Sequence, residues 1–227
     1  MFKTLNPPDS NFVITIGRQF GSGGRELGRN LADAFGIQYY DKELLVEAAK
    51  QAGLSTEFVE NGDERAPSFL GGMFHFNMNM GGNPNFWYNS TGNFADESVY
   101  NTQADVIRSV ASAPVPCVIV GRSSDYVLRD HPRALHLFVH APEEDCIRRI
   151  MARKDCGSEN EARARIRKVN KLRANFYNFY TDKKWGDSTS YDLTFDSSKI
   201  SMTDAVAIIA EYIRRRFGID PYQSGQL

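Results

Sequence analysis

Short apolar runs alternate with amphipathic segments along most of this chain, the pattern of a parallel sheet whose strands are joined by helices. Phe12-Val13-Ile14-Thr15-Ile16 reads as a buried strand. A glycine-rich turn, residues 17–24, follows it. Glu26 to Phe35 then reads as a helix, with Leu27, Leu31, Ala34 and Phe35 on one face and Gly36 placed to stop it. Ile37 to Tyr40 is a second short strand, and Asp41 can cap a helix that turns Leu44, Leu45, Ala48 and Ala49 inward. Ser55 opens a shorter helical piece. Farther on, the pattern predicts a helix from Asp96 to Ala113, strands over Cys117 to Val120 and Ala134 to His140, and a helix opened by Pro142 that runs through Cys146 and Ile150. A long polar helix from Ser158 to Tyr180, a strand from Tyr191 to Phe195 and a helix from Met202 to Phe217 complete the series. The tail, residues 220–227, reads as loose.

One stretch breaks this pattern. Residues 66–95 contain no Asp, Glu, Lys or Arg, and they hold seven aromatic residues among many Asn, Gly and Met. Gly and Asn oppose regular structure, whereas the aromatics need a place to be buried. The expectation is a long irregular insertion that packs on a partner subunit or over a site, the partner being a second copy in a homodimer. A partly disordered loop is the plainer alternative.

Composition narrows the class. At 227 residues, 41% hydrophobic and 24% charged, the chain has the make-up of a folded α/β domain rather than a disordered one. Its net charge of −1 gives no global basic field, which disfavours nucleic acid as a partner. No apolar run approaches the roughly 18 residues a membrane span needs. The opening residues, MFKTLNPPDSNF, lack the pattern of an export signal, and the three cysteines (Cys117, Cys146 and Cys156) are few and odd in number. Reduced thiols in a cytoplasmic protein are the expectation. No Cys-x-x-Cys or His-Glu-x-x-His spacing suggests a metal site built by the protein.

The turn after the first strand carries the strongest chemical signal. Strand, glycine-rich turn and helix form the arrangement that binds phosphate, because glycines let backbone N–H groups point inward and the helix N-terminus adds its dipole. Here the turn reads G-R-Q-F-G-S-G-G-R-E over residues 17–26. It departs from the standard phosphate loop G-x-x-x-x-G-K-[ST]. If Gly24-Arg25-Glu26 takes the place of G-K-[ST], Arg25 supplies the positive charge. If Gly21-Ser22-Gly23 takes the place of the central Gly-x-Gly, Gly24 replaces the lysine and Arg25 falls one place later. In both registers the lysine is missing, and only Ser22 or Glu26 lies near the position of the hydroxyl that ligates magnesium. A bare glycine turn would lose backbone entropy at each glycine without return, so phosphate binding is the better reading. The dinucleotide spacing G-x-G-x-x-G is absent from this register.

Residues 148–173 supply ten Lys or Arg against three acids, a focused basic patch in a neutral protein. Arg163, Arg167 and Lys171 are spaced to share a helix face. A solvated charged face is the bland alternative; beside a glycine turn, guanidinium forks suited to phosphate oxygens are the sharper one. Arg122 follows an apolar strand directly, where open α/β sheets bind ligands. Asp41 reads equally well as a helix cap or as a binding residue. Trp185 in Trp185-Gly186-Asp187 reads as part of the core in a turn that anchors the basic helix.

With these segments in view, ITIGRQFGSGGRELGRNLADAFGIQYYDKELL resembles the start of the cytidylate kinase-like family. This is a branch of the P-loop nucleoside monophosphate kinases whose phosphate loop bears arginine and lacks lysine. CVIVGRSSDYVL, RALHLFVHAPEEDCIRRI, Asn170-Lys171-Leu172-Arg173 and YDLTFDSS agree with later parts of the family pattern, so the resemblance spans about residues 12–215 outside the insertion. It implies a P-loop NTPase-type parallel sheet flanked by helices, with a helical lid and an irregular insertion. Residues 12–36 would form the phosphate loop unit, 41–115 the acceptor side and 148–187 the lid, all within a single kinase-like domain.

The implied activity is ATP-dependent phosphoryl transfer, with Mg²⁺, to a small acceptor of the CMP type. By the same resemblance, Gly21, Ser22, Gly23, Gly24, Arg25 and Glu26 hold the nucleotide phosphates. Arg122, Asp41 and Gln103 face the acceptor, and Arg149, Arg153 and Arg173 join Arg25 in catalysis. The sequence departs from the cytidylate kinase pattern at Lys42-Glu43 (Thr-Gly in the pattern), at Glu47 (Arg), at Ser123 (Asp) and at Asn170 (Asp). These departures leave the acceptor open, and they leave a nucleotide-binding sensor without turnover as the alternative function.

Overall fold

The computed structural model describes residues 11–41 and 90–226. Its strands are β1 (Val13–Arg18), β2 (Gln38–Tyr40), β3 (Cys117–Val120), β4 (Ala134–His140) and β5 (Leu193–Asp196). They lie in the order β2-β3-β1-β4-β5, and every neighbouring pair is parallel. The helices are α1 (Gly24–Phe35), α2 (Ser90–Ser112), α3 (Ser124–Val127), α4 (Glu143–Ala152), α5 (Glu159–Thr181) and α6 (Met202–Phe217). The expected α/β architecture of a parallel sheet with flanking helices is the one observed.

Central strand β1 is buried on both faces, and its two-residue period divides the core. Ile14 and Ile16 point toward α1 and α6, where they meet Leu27, Leu31, Phe35, Ile209 and Ile213. Val13 points the other way, into a cluster with Ile107 of α2, Cys117, Ile119 and Ala134. Thr15 is the polar member of the strand, and its hydroxyl bonds His136 Nδ1 at 2.8 Å on β4. Burial lowers the pKa of His136, which suits a neutral imidazole in this bond.

Boundaries differ from expectation where a local interaction extends an element. Helix α1 starts two residues early, at Gly24, because Gly23 takes a left-handed conformation as its N-cap. Helix α2 starts at Ser90 rather than Asp96, so the end of the uncharged stretch is helical. The rest of that stretch, the expected capped helix after Asp41, the helical piece at Ser55 and the expected dimer contact lie outside the described residues. Ser158 caps α5 by accepting from the Glu161 N–H. The tail forms a 3₁₀ turn, Pro221–Gln226, instead of hanging loose. Ile219 is buried, and Tyr222 sets its ring edge-on to Phe35, 5.2 Å between centroids.

Gly28 shows how tightly α1 sits on the sheet. A Cβ there would lie 2.9 Å from Val120 Cγ2, 3.2 Å from Tyr39 and 3.3 Å from Ile16. Alanine ordinarily gains about 1 kcal/mol over glycine inside a helix. Overpacking against a β-branched strand residue costs about 1–3 kcal/mol. Gly28→Ala is therefore expected to lower stability in urea unfolding, and a raised midpoint would show that the wall yields.

Candidate active site

The loop from Gln19 to Gly23 is bent by two left-handed glycines, Gly21 at φ +81° and Gly23 at φ +83°. Gly21 also has no room for a side chain, because a Cβ would sit 2.9 Å from Cys146 Cβ on α4. The Ser22 hydroxyl is fully buried and is shared between the carbonyls of Gln19 and Val139, 2.9 Å to each. Behind it, the Ser197 hydroxyl donates to the Ser22 carbonyl at 2.6 Å. Arg149 holds Ser197 in turn, donating from Nη1 to its hydroxyl at 3.1 Å and from Nη2 to its carbonyl at 2.7 Å. Helix α5 clips the front of the loop. Asn170 Oδ1 accepts from the Phe20 N–H at 2.8 Å, and Arg173 Nη1 donates to the Arg18 carbonyl at 3.1 Å.

A solvent-open groove runs over this loop and the N-terminus of α1. Arg25, Glu26 and Asp41 line one side, and Arg153, Arg165 and Arg173 line the other. Arg25 is not directed solely at the groove. Its Nε and Nη2 both donate to Asp41 Oδ2, at 3.0 and 2.6 Å, and Asp41 is buried. Arg153 donates to Asp155 at 2.9 Å. Phe20 lies beneath two guanidinium groups, those of Arg165 and Arg173, at 5.4 and 5.8 Å from its ring centre.

A smaller inner cleft adjoins the groove and shares Arg18 and Arg173 with it. Its floor is the turn after β3, where Gly121, Arg122 and Ser123 stand in succession at φ +85°, +62° and +50°. Two non-glycine residues in that region cost on the order of 1–2 kcal/mol each, a strain of the kind that collects at functional sites. Arg122 is only 5% exposed despite its charge. Asp125 lies in the same cleft and accepts a hydrogen bond from the Tyr177 hydroxyl at 2.7 Å. Burial pushes the Asp125 carboxyl up to about 6. Burial, followed by the Asp125 charge, raises the phenols of Tyr177 and Tyr191. Trp185 and Phe176 complete the walls; Trp185 packs edge-on against Phe138 and also faces the cleft.

Gly21, Gly23, Gly24, Arg25, Glu26, Asp41, Arg153 and Arg173 thus come together on the groove, and Arg122 stands in the cleft beside it. Ser22 and Arg149 lie behind the loop, shaping it rather than facing the groove. The Ser22 hydroxyl therefore does not face the groove. Gln103 is buried on α2 and lines neither cavity, and neither of its amide atoms has a hydrogen-bond partner among the described residues.

The expected phosphate-binding face of α5 divides. Arg163 donates to Glu143 and Glu144, and Arg167 donates to Glu143, so these two arginines join α5 to α4. They do not line the groove; their ion pairs turn them to α4, whose acids precede the basic run in sequence. Arg18, Asp125 and Tyr177 were not singled out by sequence reasoning. Asp125 was within reach, as an acid three residues after Arg122. Arg18 was hidden inside the glycine run.

Among the described residues no cluster of His, Cys, Asp and Glu could hold a metal ion unaided, and Cys117, Cys146 and Cys156 are buried and unbridged. No helix among them is long and apolar enough to cross a membrane.

A nucleotide-type phosphate loop at the end of β1 and a buried arginine at the end of β3 define a kinase-like α/β site. The chain belongs to the cytidylate kinase-like family, whose pattern matches residues 13–199. Membership supports phosphoryl transfer and nucleotide binding as the class of chemistry. No curated protein matches the chain. Among solved structures, one from Eubacterium ventriosum, described as an uncharacterized protein, is 28% identical, covers 91% of this chain and 100% of its own, and superposes with a TM-score of 0.66. A shikimate kinase from Acinetobacter baumannii, in complex with shikimate, is 15% identical over 91% of this chain and 95% of its own, at a TM-score of 0.49. That likeness is too distant to bear on the acceptor.

Asp125 gives the cleft a pH dependence with a definite sign. The folded carboxyl binds its proton more tightly than an unfolded aspartate, which titrates at about 3.9. Its contribution to stability is therefore complete below that pH and is lost as pH rises toward the folded value of about 6. The difference corresponds to about 3 kcal/mol at most, and each kcal/mol moves the melting temperature of a chain this size by about 2–4 °C. Asp125→Asn does not titrate. Wild type is expected to lose stability relative to Asp125→Asn between pH 4 and pH 7 in thermal unfolding. A gap that stays constant over this range would contradict the assignment.

Proposed function

We propose that this protein transfers the γ-phosphoryl group of ATP to a small phosphorylated acceptor, with a CMP-like nucleoside monophosphate the first candidate. The observation that carries this reading is the pair of adjoining cavities, a groove over the glycine loop and a cleft around Arg122, which meet at Arg18 and Arg173. Donor phosphates fit the groove, where the glycine turn and the N-terminus of α1 favour anions. The acceptor phosphate fits the cleft, where Arg122 offers a fork of N–H donors. Phosphoryl transfer is mostly a matter of positioning and charge neutralisation, and Arg153 and Arg173 close the groove from the lid side. Arg25 ties the buried Asp41 to α1 and so joins the donor side to the acceptor side.

Glu26, exposed in the groove on the first turn of α1, is the carboxylate suited to Mg²⁺, which commonly takes one or two protein carboxylates with the remainder from phosphates and water. Bound there, the ion would neutralise charge across the donor phosphates.

A nucleotide sensor without turnover is the second reading. It is favoured by the missing lysine and by the ion pair that occupies Arg25. ATP consumption with Mg²⁺ across a panel of nucleoside monophosphates separates the two. ADP that forms with one acceptor and not in its absence is the expected result; ATP binding with no ADP for any acceptor would favour the sensor. Once an acceptor is found, Arg122→Ala is expected to raise its KM about 10–100-fold, the loss of a charge-assisted hydrogen bond. An unchanged KM would remove Arg122 from the acceptor site.

A further inference from the structure

The missing lysine has a structural counterpart. Gly24 opens α1, the place from which a phosphate-loop lysine would project. A Cβ on Gly24 would lie 2.5 Å from Arg18 Cβ, 3.1 Å from Arg18 Cγ and 3.3 Å from Val139 Cβ. Those atoms belong to the ends of paired strands β1 and β4 and have little freedom to move. No side chain fits at position 24, and the stem of Arg18 fills that space.

The other end of Arg18 is defined just as closely. Its guanidinium lies over Gly121, so that Nη1 occupies the space a Cβ there would take, while Cζ and Nη2 would be 2.7 and 3.0 Å away. Two glycines from separate turns thus make a channel for one arginine, Gly24 beside its stem and Gly121 beneath its head. The backbone of Arg18 is fixed by pairing with Val139 and by the Arg173 guanidinium on its carbonyl. The side chain borders both the groove and the cleft.

We infer that Arg18 takes the place of the phosphate-loop lysine, binding the β- and γ-phosphate oxygens of the nucleotide as the γ-phosphoryl group passes from groove to cleft. This rests on the ATP reading above. In the transfer, an acceptor oxygen donates an electron pair to the γ-phosphorus and the bond from that phosphorus to the β–γ bridging oxygen breaks. The electron pair of that bond leaves on the β-phosphate of ADP, and the attacking oxygen, being that of a phosphate dianion, carries no proton to be removed. Arg18 gains and loses no atom. Its planar fork spans two oxygens at once, and it stays charged at any working pH. Arg25, the cation expected from sequence, lines the groove but donates from Nε and Nη2 to Asp41.

Calorimetric titration with ATP, together with ADP formation in the presence of the acceptor, tests the assignment. Arg18→Ala is expected to weaken ATP binding at least tenfold and to lower kcat by about 10²–10³, the range for losing one preorganised donor to transition-state charge. The exchange Arg18→Gly with Gly24→Lys should recover at least tenfold in kcat over Arg18→Gly alone, because removing both Cβ and Cγ of residue 18 frees the space the new lysine needs. Should Arg18→Ala fail to fold, Arg18→Met keeps the stem and removes the charge, and the same losses are expected. ATP affinity and kcat both within threefold of wild type in a folded Arg18 variant would overturn the inference. Wild type that binds ATP but forms no ADP would sink the transfer reading alone, since the titration still decides Arg18. Wild type that binds neither ATP nor inorganic tripolyphosphate would overturn both.

Discussion

A glycine-rich turn has few side chains with which to hold its own shape, so most of its backbone groups must find partners elsewhere in the chain. Everything at this site depends on that requirement. The Arg18 carbonyl accepts from Arg173, the Gln19 carbonyl from Ser22 and the Ser22 carbonyl from Ser197. Asn170 completes the set from the other direction by accepting the Phe20 N–H. These partners come from α5, the turn after β5 and the loop itself. The loop is therefore shaped only when the sheet, the basic helix and the last strand are all in place, and this ties the geometry for phosphate binding to folding of the whole.

The parallel register does a second job. Pairing Ile16 with Val120 and Arg18 with Val139 brings the C-terminal ends of β1, β3 and β4 side by side. The turn after β1 and the turn after β3 then lie close enough for Arg18 to rest on Gly121 and for the groove and the inner cleft to share a wall. Left-handed geometry at Arg122 and Ser123 persists because its neighbours fix it. The Gly121 N–H is held by the Ile16 carbonyl, and the Ser124 N–H by the Gly121 carbonyl. A turn held in this way keeps Arg122 buried beside Asp125 rather than letting it swing into solvent.

Charge in this molecule is sorted by partner. Arg163 and Arg167 spend their charge on Glu143 and Glu144, and Arg149 spends its donors on Ser197. Those contacts hold α4, α5 and the turn after β5 around the phosphate loop. Arg153, Arg165 and Arg173 are the members of the basic run that border the groove. The excess of positive charge read from residues 148–173 is thus partly an effect of where the counting window starts.

Strand identities, the long helices, the glycine turn and the family were legible in the sequence, because each rests on local periodicity or on contiguous residues. Cys117–Val120, Ala134–His140 and Met202–Phe217 fall where the pattern put them, and α5 lies within a residue of expectation at each end. Features that the pattern did not carry depend on residues outside the local run. The tail is ordered by Phe35, and Arg149 is turned by Ser197. The cation beside Gly24 sits six residues before it, on the strand rather than on the helix. Sequence alone determined that a glycine-rich turn between strand and helix, the arrangement of a phosphate loop, stands at the end of the first strand, since glycine spacing and helix onset are properties of neighbouring residues. Which arginines face that turn, which brace it and which are neutralised was decided only by tertiary structure. Side-chain direction and ion pairing depend on how distant elements pack, and periodicity carries no record of that.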